Sequence, residues 1–153
     1  MIAVCGAGEA DAETQALAEA VGFELARAGA VVVCGGLGGV MESACAGAKK
    51  GGGLTVGIVP GPDIAVANPY VDVRIATGMH DGRNAIITHT AEAIIALRGS
   101  YGTLSEVALA LKMGKPVGTI GDWCPIDRVT IYQTPADAVR GTLALVRSHR
   151  SVR

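Results

Sequence analysis

The feature that most constrains this chain is a repeated order of short elements: an apolar run, a glycine-bearing turn, then a segment of helical period. It is clearest at residues 93–117, where Ala-Ile-Ile-Ala-Leu leads into Arg98-Gly99-Ser100-Tyr101-Gly102-Thr103, an amphipathic run reaches Lys112, and Gly114 precedes Pro116-Val117. The apolar run is too short for a helix and long enough for a buried strand, so the stretch reads strand, loop, helix, strand. Strands joined through a helix lie parallel. The order occurs twice before this. Residues 2–5 lead through Gly6-Ala7-Gly8 to a helix over 14–28 stopped by Gly29, and residues 31–34 lead through Gly35-Gly36-Leu37-Gly38-Gly39 to a helix over 40–50.

The rest of the chain extends the pattern. Residues 54–59 read as a strand stopped by Pro60-Gly61-Pro62, residues 63–70 as an irregular surface loop, and residues 71–75 as a short alternating strand. A helix over 79–90 carries Arg83, Asn84 and His89; strands at 117–120 and 129–132 follow. Thr134 before Pro135 is an N-cap with proline at the first helical position, opening a last helix to about Arg147. Strands that are apolar throughout belong in a parallel sheet covered on both faces. The expected fold is a single doubly wound, Rossmann-like α/β domain over residues 1–148, its sheet mostly parallel, with a basic tail at 149–153 fraying into solvent. A chain of 153 residues buries roughly 70% of its unfolded surface. With aromatics at only 3%, that core is aliphatic.

Net charge is −1 with both signs intermixed, which lacks the basic footprint of a nucleic-acid-binding protein. Neither a basic leader nor a long apolar segment is present, so the expectation is a cytoplasmic protein without signal peptide or membrane span. Cys5, Cys34, Cys45 and Cys124 occur singly, without the spacing of a metal site, and read as reduced, buried thiols.

Chemistry is expected in the three glycine loops, because free N–H groups at the helix starts and the helix dipoles attract anions there. Gly6 and Gly8 allow a ligand to approach the end of the first strand. However, Asp11 stands where a dinucleotide fingerprint has its third glycine, and no acid closes the second strand, which argues against a dinucleotide dehydrogenase. In the second loop, Gly36, Gly38, Gly39 and Met41 suit either close helix–sheet packing or a second ligand-facing wall. In the third, Thr103-Leu104-Ser105-Glu106 fits a capping box. The functional alternative places a phosphate on the N–H groups of the Gly99-Ser100-Tyr101-Gly102-Thr103 loop, with Glu106 one turn into the helix and facing the ligand. Arg98 is either a solvent-facing loop residue or a further phosphate contact. Lys112 and Lys115 frame the end of that helix and match its dipole.

Gly99-x-Tyr101-Gly102-Thr103-x-x-Glu106 resembles the PGGxGTxxE motif of the LOG-like, "lysine decarboxylase-like" Rossmann proteins, and Gly35-Gly36-x-Gly38-Gly39-Val40-Met41 resembles their GGxxGxM segment. Thr77-Gly78-Met79-x-Asp81-x-Arg83-Asn84 looks most like the molybdenum-cofactor carrier branch. The resemblance implies a homodimer or higher homo-oligomer whose crevice holds a phosphorylated nucleotide-like or pterin ligand, including a molybdopterin-type one, with no other cofactor required. It also implies, for the cytokinin-activating enzymes of the family, that the residues matching Arg83 and Glu106 take part in cleaving the N-glycosidic bond of a nucleoside 5′-monophosphate. A carboxylate suits the oxocarbenium-like transition state of that cleavage. Arg98, Ser100 and Asn84 stand where the enzymes keep proline, glycine and lysine. An oligomeric partner-binding module is a third reading, carried by the small side chains of residues 107–111.

Overall fold

Seven strands form one sheet in this computed structural model, which describes residues 1–151 apart from the side chain of Arg150. In chain order the elements are β1 (Ile2–Cys5), α1 (Ala12–Arg27), β2 (Val32–Cys34), α2 (Val40–Lys50), β3 (Thr55–Val59), β4 (Val73–Ala76), α3 (Arg83–Thr90), β5 (Ala93–Ala96), α4 (Tyr101–Lys112), β6 (Val117–Ile120), β7 (Thr130–Tyr132) and α5 (Pro135–Ser151). Every pairing is parallel, and the strand order is β4-β3-β2-β1-β5-β6-β7. The direction of winding reverses between β1 and β5. In a doubly wound sheet that is the point where a crevice opens beyond the carboxyl ends of the strands.

Alternation along the central strands divides the core between the two faces. Ile2, Val4, Val32 and Ile95 pack with α1, α2 and α5 through Val21, Leu25, Ala44 and Val139. Ala3, Cys5, Val33, Ile94 and Ala96 pack with α3 and α4 through Ile87, Val107 and Ala110. These residues are essentially inaccessible to water, so the apolar runs are buried on both sides as their composition implies. Helices α1 and α2 approach until backbone meets backbone: a Cβ on Gly22 would stand 1.9 Å from the Ala44 carbonyl oxygen, and one on Gly47 would stand 1.9 Å from that of Glu19.

Several local expectations change. Helix α1 begins at Ala12 because the Asp11 side chain accepts from the Thr14 N–H at 2.7 Å, so the residue that breaks the dinucleotide fingerprint is a helix cap. The irregular segment 63–70 contains a 3-10 turn at Ile64–Val66, capped by Asp63. The helix expected over 79–90 is a 3-10 turn, His80–Gly82, followed by α3. Lys115 donates to the carbonyls of Thr88, His89 and Ala91, so it serves the end of α3 instead of α4. At the far end, Thr134 caps α5 as expected through the Asp137 N–H, but the helix runs on to Ser151 where fraying was anticipated. Val152 and Arg153 of the basic tail lie outside the described residues. No helix among the described residues is long and apolar enough to cross a membrane.

Candidate functional site

Three connections meet above the reversal point: β1 to α1, β2 to α2, and β5 to α4. Ala7 joins them. Its N–H donates to the Arg98 carbonyl at 3.2 Å and its carbonyl accepts from the Val40 N–H at 3.0 Å. The glycines of the second loop make this closeness possible. Gly39 has φ +61°, and a Cβ there would stand 2.4 Å from the Ala7 oxygen. A Cβ on Gly36, at φ +74°, would stand 2.9 Å from Val59. Of the two readings open for this loop, Gly36, Gly38 and Gly39 follow the packing one, while Gly35 and Met41 line a cleft.

That cleft has a volume of about 170 Å³ and is bounded by Gly6, Ala7 and Gly8, by Gly35 and Met41, by Asp81, Arg83 and Asn84, and by Ser100, Gly102, Thr103 and Glu106. The structure therefore brings together most of the residues singled out from the sequence. Gly99 and Tyr101 are not among the cleft walls: a Cβ on Gly99 would meet Thr103 Oγ1 at 2.0 Å, and Tyr101 is 89% exposed on the surface.

The capping box does not form. Helix α4 starts at Tyr101, its cap residue is Ser100, and Ser100 makes no side-chain cap bond. Thr103 is thus already inside the first turn, buried against Gly99. Its spacing from Glu106 is the capping spacing, but the register is shifted by three residues. The first intrahelical bond is Leu104 N–H to the Ser100 carbonyl at 3.0 Å, so no cap side chain takes the N–H groups of Tyr101, Gly102 and Thr103. Asn84 steadies this helix start by donating from Nδ2 to Ser105 Oγ at 3.1 Å and to the Gly102 carbonyl at 3.4 Å.

Freed from capping, Glu106 points inward from α4 and is 8% exposed. Burial pushes its carboxyl up to about 7, against the opposing pull of the neighbouring Cys5 thiol and of the Arg83 charge. The Cys5 thiol is in turn raised well above its ordinary range, by its own burial and by Glu106. Arg83 reaches the cleft across Gly35: a Cβ on that glycine would stand 1.8 Å from Nη1. Nη1 donates to the Ile58 carbonyl at 2.9 Å, whereas Nε is buried and has no partner. A buried N–H without an acceptor costs about 1–3 kcal/mol, and more on a charged group such as this guanidinium.

The likeness to known proteins runs over nearly the whole chain. The SLOG cluster4 family matches residues 1–150. The chain belongs to that family. This SLOG cluster4 protein is 46% identical over 138 residues to an uncharacterized protein of Archaeoglobus fulgidus, spanning 90% of this chain and 91% of the other. It is 34% identical over 127 residues to the cytokinin riboside 5′-monophosphate phosphoribohydrolase LOG of rice, spanning 76% of this chain but only 52% of that enzyme. Among solved structures, the molybdenum cofactor binding protein of Rippkaea orientalis superposes with a TM-score of 0.85 at 36% identity, covering 97% of this chain and 96% of that one. The molybdenum cofactor carrier protein of Chlamydomonas reinhardtii superposes at 0.84 and 30% identity, covering 95% and 98%. The SLOG cluster4 chain is thus a LOG-like protein near the molybdenum-cofactor carrier branch.

Sequence reasoning missed three parts of the cleft in this SLOG cluster4 protein. Cys5, expected as a buried hydrophobe, lines the cleft near Glu106. Gly35 was grouped with a turn, yet its missing side chain admits Arg83. Asp81 was noted only within a motif; it lines the cleft beside Arg83. Among the described residues no cluster of three or more His, Cys, Asp or Glu side chains is placed to hold a metal ion.

Proposed function

We propose that the cleft binds a phosphorylated nucleotide-like or pterin ligand of the molybdenum-cofactor type. The observation that carries this reading is the Arg83 guanidinium on the wall of the cleft that the uncapped start of α4 also lines. Donors of both kinds suit a phosphate: a guanidinium by charge and fork geometry, a helix start by its open N–H groups. In this reading Gly8 and Gly102 let the ligand touch backbone, Gly6 lines the cleft while its missing side chain makes room for Val40, Ser100 and Thr103 flank the phosphate, Met41 packs against the ligand, and Asn84 holds α4 in place. The two structural relatives, a molybdenum cofactor binding protein and a molybdenum cofactor carrier protein, support a pterin. Titrations with nucleoside monophosphates and with molybdopterin test it. Saturable binding of at least one is expected, and flat titrations with all of them overturn it.

The second reading is hydrolysis of a nucleoside 5′-monophosphate to free base and ribose 5-phosphate. It is favoured by Glu106, a buried carboxyl held near neutrality beside an arginine. Its carboxylate would orient the water that adds to C1′ as the bond to the base nitrogen breaks, accepting the water's proton while Arg83 holds the phosphate. Adenine release from AMP that disappears in Glu106→Gln supports this reading, and equal release by both proteins removes it. The working assembly is a cytoplasmic homodimer or higher oligomer, for which a monomer in sedimentation is the contrary result.

A further inference from the structure

We infer that Asp81 selects the ring of the ligand, and that the ring it selects is a 2-amino-4-oxo-pyrimidine edge, as carried by guanine and pterins. The inference rests on the proposed phosphate-binding role of the cleft and adds the identity of the other end of the ligand.

Asp81 reaches the cleft wall through an unusual backbone. His80, immediately before it, has φ +48°, a left-handed conformation that non-glycine residues seldom adopt. Its N–H is held by the Pro60 carbonyl at 2.9 Å, and the Gly82 N–H closes the turn onto Met79 at 2.9 Å. The turn leaves Asp81 exposed at the cleft, two residues before Arg83. Asp81 makes no side-chain hydrogen bond or ion pair among the described residues, in contrast to Asp72, which takes Lys49 at 2.8 Å and the Thr55 N–H at 3.0 Å.

A carboxylate on the wall of an anion-binding cleft repels the ligand unless the ligand presents hydrogen-bond donors to it. An ionised carboxylate only accepts. The Watson–Crick edge of adenine offers one donor, the amino group, beside an acceptor nitrogen that a carboxylate repels. The corresponding edge of guanine or a pterin offers a ring N–H and an amino group side by side, which match the two carboxylate oxygens. The second carboxyl in the cleft does not compete for this role, because Glu106 is buried. An asparagine at 81 carries one acceptor and one donor, the complement of adenine.

The test is calorimetric titration of the full chain with GMP and with AMP, for wild type, Asp81→Asn and Asp81→Ala, each checked for an unchanged melting temperature. Wild type is expected to bind GMP at least tenfold more tightly than AMP. Asp81→Asn is expected to weaken GMP at least tenfold and strengthen AMP, and Asp81→Ala to weaken GMP without strengthening AMP. Equal affinities in wild type, or an equal loss for both nucleotides in Asp81→Asn, overturns ring selection while leaving phosphate binding standing. If neither nucleotide binds the wild type, ring selection as read with nucleotides falls, and the molybdopterin titration decides whether phosphate binding stands.

Discussion

The second and third glycine loops look alike in sequence and differ in what their glycines meet. After β2, Gly39 is pressed against the Ala7 carbonyl and Gly36 against Val59, and the first N–H of α2 is spent on the Ala7 carbonyl. After β5, a Cβ on Gly102 would meet nothing nearer than Asn84 Nδ2 at 4.0 Å, and the first turn of α4 keeps its N–H groups. One loop is a joint and the other is a mouth. A glycine cluster between strand and helix therefore reports close approach, and only the neighbour says whether the approaching group is protein or ligand.

The largest effect expected from breaking this comparison is at Gly39. Gly39→Ala forces a side chain into a left-handed backbone and within 2.4 Å of the Ala7 oxygen, so unfolding by denaturant should show a loss of roughly 3 kcal/mol or more. A loss below about 1 kcal/mol would mean that the joint yields easily. Next is Glu106→Gln, read against pH. The folded carboxyl titrates near 7 and its ordinary value is 4.5, so between these the folded protein holds more protons than the unfolded one and stability falls as pH rises. Below about 4.5 the effect is absent; above 7 wild type carries a deficit of roughly 3 kcal/mol that glutamine lacks. Parallel stability profiles of the two proteins from pH 5 to 8.5 would contradict the burial of Glu106.

Asn84→Ala removes the bonds to Ser105 Oγ and the Gly102 carbonyl, for an expected loss of about 1 kcal/mol, visible as a small drop in melting temperature. The smallest stability change is at Gly102. Gly102→Ala should leave stability within about 1 kcal/mol, since alanine is the better helix former and the space is open. Its methyl group lies at the cleft, however, and phosphate-ligand affinity should fall about tenfold. If Gly39→Ala and Gly102→Ala instead behave alike, the distinction between joint and mouth is wrong.

The fold was legible because its evidence is local. Apolar runs such as 93–97, broken by glycine and followed by helical periodicity, specify buried parallel strands without any long-range information. The site was legible in part. Its loops announced themselves through glycine, and Arg83 and Glu106 through a family motif, but spacing alone misjudged Glu106. The interval from Thr103 satisfies a capping box, and the same interval lies one turn inward when the helix starts at Tyr101. Which register wins depends on Gly99, whose lack of a side chain lets Thr103 fold back against it. Gly35 was opaque for a similar reason: its partner, Arg83, is far away in the chain and nothing near Gly35 signals it. Asp81 depends on a left-handed backbone at His80, which the local sequence does not signal.

Ala7 has a last consequence. By joining the Arg98 carbonyl to the Val40 N–H, it ties the three glycine loops of the cleft to one another. A ligand entering such a cleft has little chain entropy to quench, so affinity depends on the match between fixed donors and the ligand. It also means that the loops cannot change length one at a time. An insertion beside Gly8 would shift the starts of α2 and α4 together, so specificity in this architecture is free to vary only where the joint does not reach, at the β4–α3 turn that carries Asp81.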